Sequence, residues 1–144
     1  MQYRSGRQGE SISILGYGCM RFTRTKGAID LDKAQREVAE AVASGVNYLD
    51  TAYVYPGNEA AVGQILQRSG LREKVFLATK LPQYLVRSRA AMDRYLTEQL
   101  RRLQTDHIDF YLLHMLSGKN SWERLVALGI QDWIREKKAQ GSIR

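Results

Sequence analysis

The sequence has one cysteine, no long apolar run and no block of like charge. A lone Cys19 cannot form an intrachain disulfide, and it leaves no CxxC pair for a structural zinc. One free thiol fits a reducing compartment, so a cytoplasmic location is expected. No stretch approaches the roughly 20 apolar residues that a bilayer crossing requires, so no membrane span is expected. The opening MQYRSGRQGE has no apolar h-region, and no secretory signal is expected. Acidic residues are the minority, 15 against 22 basic, for a net charge of +7. The basic residues are scattered: Arg21, Arg24 and Lys26 in one loop, Arg87 and Arg89 in another, Arg101 and Arg102 on a helix. No run of five or six and no nucleic-acid reading module accompanies them, so no nucleic-acid partner is expected. An anionic cofactor remains compatible with the excess.

What remains is an ordinary globular balance, 44% apolar and 26% charged, in 144 residues. That excludes collagen-like, disordered and low-complexity chains. The first dozen residues read as a short hairpin turned by Gly6 and Gly9. Residues 13–18 read as a strand. Asp30 caps a helix carrying Leu31, Ala34, Val38, Ala41 and Val42, which Gly45 stops. Residues 46–50 form a second strand. Asn58 is positioned to cap a helix with Ala61, Val62, Ile65 and Leu66 on one face, ended by Gly70. A third strand spans 75–80, and Ser88 caps a long helix with Met92, Leu96, Leu100 and Leu103 inward. The fourth strand, 108–113, is almost wholly apolar. Ser121 opens a last helical stretch, interrupted near Gly129 and ending at Gly141. Ile143 and Arg144 then read as the approach to another strand. Strand and helix thus alternate four times, which implies parallel strands joined by crossover helices.

Asp50, Lys80 and His114 each close an apolar strand, and each is separated from the next by one strand–helix unit. Parallel topology therefore puts all three on the C-terminal rim of the sheet, where active sites of such folds lie. Tyr55 sits in the loop over the same rim. The set is chemically coherent. A phenol ionises at about 10, too high for an ideal acid at neutral pH, and a neighbouring ammonium stabilises its phenolate. A carboxylate holds the ammonium in place, and a histidine orients a substrate oxygen. Together they can protonate an oxygen as it becomes an alkoxide. Each also has an ordinary explanation alone: Asp50 a loop cap, Lys80 a solvated strand end, His114 a satisfied core residue, Tyr55 a turn residue before Pro56-Gly57. Their coincidence on one rim favours the functional account.

Four segments resemble the aldo-keto reductase family: Leu15-Gly16-Tyr17-Gly18-Cys19-Met20-Arg21-Phe22; Gly45 to Tyr55 followed by Asn58-Glu59; Ala78-Thr79-Lys80; and Asp106 to His114. The flavour is that of a bacterial branch whose longer members carry a ferredoxin-like domain, for which this sequence has no cluster cysteines. The resemblance implies a (β/α)8 TIM-barrel type α/β fold that reduces aldehydes or ketones, small-molecule carbonyl substrates, with NADPH. It implies that Asp50, Tyr55, Lys80 and His114 are the catalytic tetrad. Tyr55 gives the proton, Lys80 paired with Asp50 tunes it, and His114 positions the carbonyl oxygen. By the same resemblance Gly18, Met20, Arg21 and Asp50 lie at the cofactor. Pro56 departs from the glycine that many relatives have after the tyrosine, which alters the loop and not the tetrad.

A whole barrel takes about 250 residues. Residues 1–144 are therefore expected to be the N-terminal half of such a barrel, a hairpin followed by the first four βα units, with the tetrad present but most of the NADPH site missing and the activity incomplete. A truncated product is one reading, and two copies closing through their open edges is another. The functional alternative is a non-catalytic half-barrel that binds or regulates without turnover. Trp122 and Trp133 are expected to be packing residues, and Cys19 a structural one.

Overall fold

The computed structural model describes residues 1–144. The chain opens with an antiparallel hairpin, β1 (Tyr3–Ser5) and β2 (Ser11–Ser13). Its turn contains Gly9 at φ +89°, a backbone region that disfavours side chains. The hairpin is tied to the sheet through Asn47. The Asn47 side chain accepts from the Ser13 N–H (2.8 Å) and donates to the Ser11 carbonyl (2.8 Å).

The expected strand at 13–18 is reduced to β3 (Tyr17–Gly18). The Ser13 hydroxyl donates to the Leu15 carbonyl at 2.7 Å, and this local bond diverts the backbone from a ladder. Ile14 and Leu15 are left exposed. A 3-10 turn at Cys19–Arg21 follows, then a small hairpin of β4 (Arg24–Thr25) and β5 (Ala28–Ile29). This hairpin occupies what the sequence presents as a loop. Lys26 and Gly27 both take positive φ, 51° and 83°, as a two-residue hairpin turn demands.

The alternating units come next: α1 (Leu31–Ala43), β6 (Tyr48–Asp50), α2 (Asn58–Ser69), β7 (Phe76–Leu81), α3 (Arg89–Leu103), β8 (Phe110–Leu113), α4 (Lys119–Ala127) and α5 (Ile130–Ala139). Asp30 and Ser88 cap as expected, accepting from the Lys33 and Ala91 N–H groups. Asn58 does not cap. Gly57, at φ +78°, precedes the helix. Asn58 turns inward instead, donating to the carbonyls of Cys19 and Met20. Those carbonyls belong to a turn packed against α2 and need a donor. The last helical stretch starts at Lys119 rather than Ser121, and Gly129 at φ +78° divides it.

β3, β6, β7 and β8 form one sheet in that order, all parallel. The fold is thus α/β of the barrel type, with four βα units present. Ile143 makes a parallel bridge to Ile108, as the approach of a further strand would. On the helix-covered side of the sheet Leu49, Leu77 and Leu81 are fully buried. Gly63 lets α2 approach α3: a Cβ there would lie 2.4 Å from the Arg102 carbonyl oxygen. Trp133 is fully buried, and its Nε1 donates to Asp93 Oδ1 at 2.9 Å. Trp122 is not a core residue: it is 36% exposed, and the buried anchor of α4 is Leu125. No helix is long and apolar enough to cross a membrane.

Candidate active site

The rim brings the four strand-end and loop residues together. Parallel register sets Gly18 beside Asp50 and Asp50 beside Ala78, so Lys80 stands two residues further up its strand. Lys80 Nζ reaches back to Asp50 Oδ2 at 2.6 Å and to the Thr51 carbonyl at 2.6 Å. The lysine side chain is only 13% exposed, so this pair is partly shielded from water, and its hydrogen bonds hold the ammonium in one place. Nζ lies 5.1 Å from the centroid of the Tyr55 ring.

Tyr55 is positioned by consecutive tight turns. Its N–H donates to the Ala52 carbonyl at 3.1 Å, and its carbonyl accepts from the Asn58 N–H at 3.1 Å. Arg24 donates to the Pro56 carbonyl and, at 3.4 Å, to Asn58 Oδ1, bracing the same loop from outside. His114 follows β8 and meets Tyr55 edge-on, with ring centroids 5.9 Å apart and planes at 90°. Burial holds the His114 pKa below its ordinary value, the Lys80 ammonium lowers it further, and Asp50 opposes both. The imidazole is therefore neutral at neutral pH. Its Nδ1 is buried without a hydrogen-bond partner. Met115, directly after it, is held at φ +53°, an uncommon backbone region for a side-chain-bearing residue. Its carbonyl is anchored by Gln83 Nε2 at 3.0 Å.

Tyr55 and His114 open onto a cleft of about 500 Å³, also lined by Met20, Arg24, Val54, Pro56, Asn58 and Met115. Of the residues expected at a cofactor, Gly18 ends β3 beside Asp50, and a side chain there would meet nothing within 4 Å. Met20 is half exposed and lines the cleft. Arg21 is exposed and does not line it; Arg24 does, a basic side chain the motif gave no reason to prefer. Cys19 is fully buried, and burial pushes its thiol up to about 12, so it is no nucleophile. The Thr51 carbonyl, a direct partner of Lys80, carried no side-chain signal in the sequence.

A charged lysine beneath a phenol, fixed by a carboxylate and flanked by a neutral imidazole, is equipped to pass a proton to an oxygen in the cleft. Residues 14–144 match the aldo/keto reductase family. The chain belongs to that family. An aldo-keto reductase from a Mycobacterium species (strain MCS) is 38% identical over 117 residues, covering 76% of this chain and 36% of its own length. The solved holo form of an aldo-keto reductase from Bacillus halodurans superposes with a TM-score of 0.80 at 35% identity, over 100% of this chain and 48% of that one. An aldo-keto reductase from Klebsiella pneumoniae, solved in complex with NADPH, gives 0.78 at 28% identity over the same shares. The chain thus spans about half the length of these structures and about a third of the mycobacterial relative.

Proposed function

We propose that this chain carries the proton-donating part of an NADPH-dependent carbonyl reductase acting on aldehydes or ketones. The observation that supports it most is the Lys80–Asp50 pair, closed at 2.6 Å with its ammonium 5.1 Å from the Tyr55 ring. In this reading Asp50, Tyr55, Lys80 and His114 form one catalytic unit.

The residues present fit the reacting end of a nicotinamide. The open space at Gly18, the half-exposed Met20 and the cleft beside Tyr55 leave room for a flat ring next to Asp50. Bound there, NADPH supplies the hydride. Gly18, Met20 and Asp50 are the residues we place against it, with Arg21 at the outer margin. The neutral His114 ring orients the carbonyl oxygen without competing as a cation. Tyr55 then gives its hydroxyl proton to that oxygen, and Lys80 stabilises the phenolate left behind. Asp50 and the Thr51 carbonyl keep the lysine charged and aimed. Solvent reprotonates Tyr55 through the open cleft.

Titrating the 144-residue chain with NADPH, by nicotinamide fluorescence and calorimetry, tests the reading. Saturable binding would mean that the chain completes its own cofactor site, most simply by pairing half-barrels, and the carbonyl reduction that follows is expected to fall about 10²–10⁴-fold in Tyr55→Phe. Reduction that survives this substitution unchanged overturns the acid assignment. Absence of binding would make the tetrad a stranded half of a site, its function either that of a longer protein or lost, as in the alternative of a non-catalytic binding or regulatory half-barrel. Two features support self-association of the chain: the outer edges of β3 and β8, which face no neighbour in the sheet, and a concave face carrying the exposed Leu112. A monomer at all concentrations in analytical ultracentrifugation overturns that part.

A further inference from the structure

Behind the rim, on the helix-covered side of the sheet, lies a buried polar cluster that the proposed chemistry does not use. Its centre is Glu59, 1% exposed in the first turn of α2. Oε1 accepts from the Thr79 hydroxyl and the Gln99 amide, each at 2.7 Å. Oε2 pairs with Arg102 at 3.3 Å. Gln99 is fully buried. It donates to the backbone carbonyl of Lys80 at 3.2 Å and accepts from the Tyr111 hydroxyl at 2.5 Å. Arg102 donates to the backbone carbonyl of Tyr53 at 3.4 Å, and its guanidinium lies 4.3 Å from the Tyr53 ring centroid.

Burying a carboxylate is costly, and apolar side chains of similar volume would fill the same space between helices at less expense. What apolar residues cannot do is grip backbone carbonyls. The two carbonyls reached from Glu59 are those of Lys80 itself and of Tyr53, two residues before Tyr55. One arm, through Gln99, ends on the strand that carries the ammonium. The other, through Arg102, ends on the loop that carries the phenol.

We propose that Glu59, acting through Gln99 and Arg102, is a positioning residue that sets the separation between the Lys80 ammonium and the Tyr55 ring. This deepens, and for its catalytic meaning rests on, the carbonyl-reducing reading above. The geometry is sensitive at this range. An ammonium 5.1 Å from a ring centroid polarises the ring, and the effect falls off steeply with distance.

The test reads the Tyr55 ring directly, by NMR at one pH of the chain labelled at the tyrosine ring carbon bearing the hydroxyl, with Tyr55→Phe assigning the signal. Glu59→Gln keeps an acceptor for Thr79 and Gln99 but removes the charge facing Arg102, leaving that guanidinium to Glu98 at 2.8 Å. Gln99→Met removes the Lys80 arm together with the bonds to Thr79 and Tyr111. Both are expected to shift the Tyr55 resonance away from its parent position. Leu77→Ala empties a buried site on the same face of the sheet and touches neither arm, and it is expected to lower stability while leaving the resonance in place. A parent-like resonance in Glu59→Gln and Gln99→Met overturns the proposal, whatever happens to stability. So does an equal shift in Leu77→Ala, which marks general loosening. If Glu59→Gln fails to fold, Gln99→Met decides the matter. The readout needs neither cofactor nor substrate, so a parent chain that binds no NADPH leaves this result standing, and failure of the carbonyl-reducing reading is told apart from failure of this one.

Discussion

The two faces of the four-stranded sheet are built from alternate residues of the same strands, and they are finished to different degrees. On the helix-covered face Leu49, Leu77, Thr79 and Leu81 are fully buried. On the concave face Phe110 packs against Tyr48, tilted at 5.3 Å between centroids, and against Phe76, edge-on at 6.0 Å, and all three stay only partly covered. Leu112, one step higher, is 39% exposed. Stability is thus concentrated on one face and the candidate chemistry on the rim of the other. The lesson is that this chain's folding and its candidate activity draw on nearly separate sets of side chains, joined at Lys80 and at the Glu59 cluster.

Paired truncations test that division most sharply. Leu77→Ala, on the covered face, is expected to destabilise the chain by about 3–5 kcal/mol in urea unfolding, because the site is sealed by helices and cannot collapse. A cost below about 1 kcal/mol would remove the distinction between the faces. Next in size is Gly63→Ala, expected to cost about 2–3 kcal/mol, since the new methyl meets the backbone of α3 rather than a movable side chain. A neutral result would mean that α2 and α3 slide freely.

A third effect is pH-dependent. The folded His114 titrates below its unfolded value of 6.5, so the unfolded chain takes up the proton first. Stability is therefore complete above about pH 6.5 and declines as pH falls toward the folded midpoint. Urea midpoints measured between pH 7 and 5 are expected to fall in the parent more steeply than in His114→Gln; parallel curves would show that the ring is solvated. The smallest expected change is Leu112→Ala, under about 1 kcal/mol, because its methyl groups already meet water. A larger cost that grows with protein concentration would show the concave face to be covered in solution.

Much of this arrangement is written locally. The N-caps at Asp30 and Ser88, the left-handed stops at Gly45 and Gly70 and the four alternating segments are short-range signals, and the structure bears them out. The meeting of Asp50, Tyr55, Lys80 and His114 was legible because parallel strands put all their C-terminal ends on one edge. Asn58 misled because an asparagine before an apolar helical face has the features of a cap, and only the nearby Cys19 and Met20 carbonyls reveal its other use. β4 and β5 are two residues each, too short for a periodic pattern. Glu59 itself bonds residues 20 to 43 positions away, and nothing in a linear reading pairs them. Trp122 illustrates a similar limit: helical spacing identifies a face, not what covers it.

Cys19, finally, gives the molecule a built-in reporter. Its thiol is fully enclosed, protonated at ordinary pH, and close enough to feel the charges of Asp50 and Lys80. It is held in the turn that Asn58 clamps to α2. An alkylating reagent can reach it only when that turn lifts away. As the sole cysteine, its modification rate is a clock for how often the rim opens, one that needs no added label.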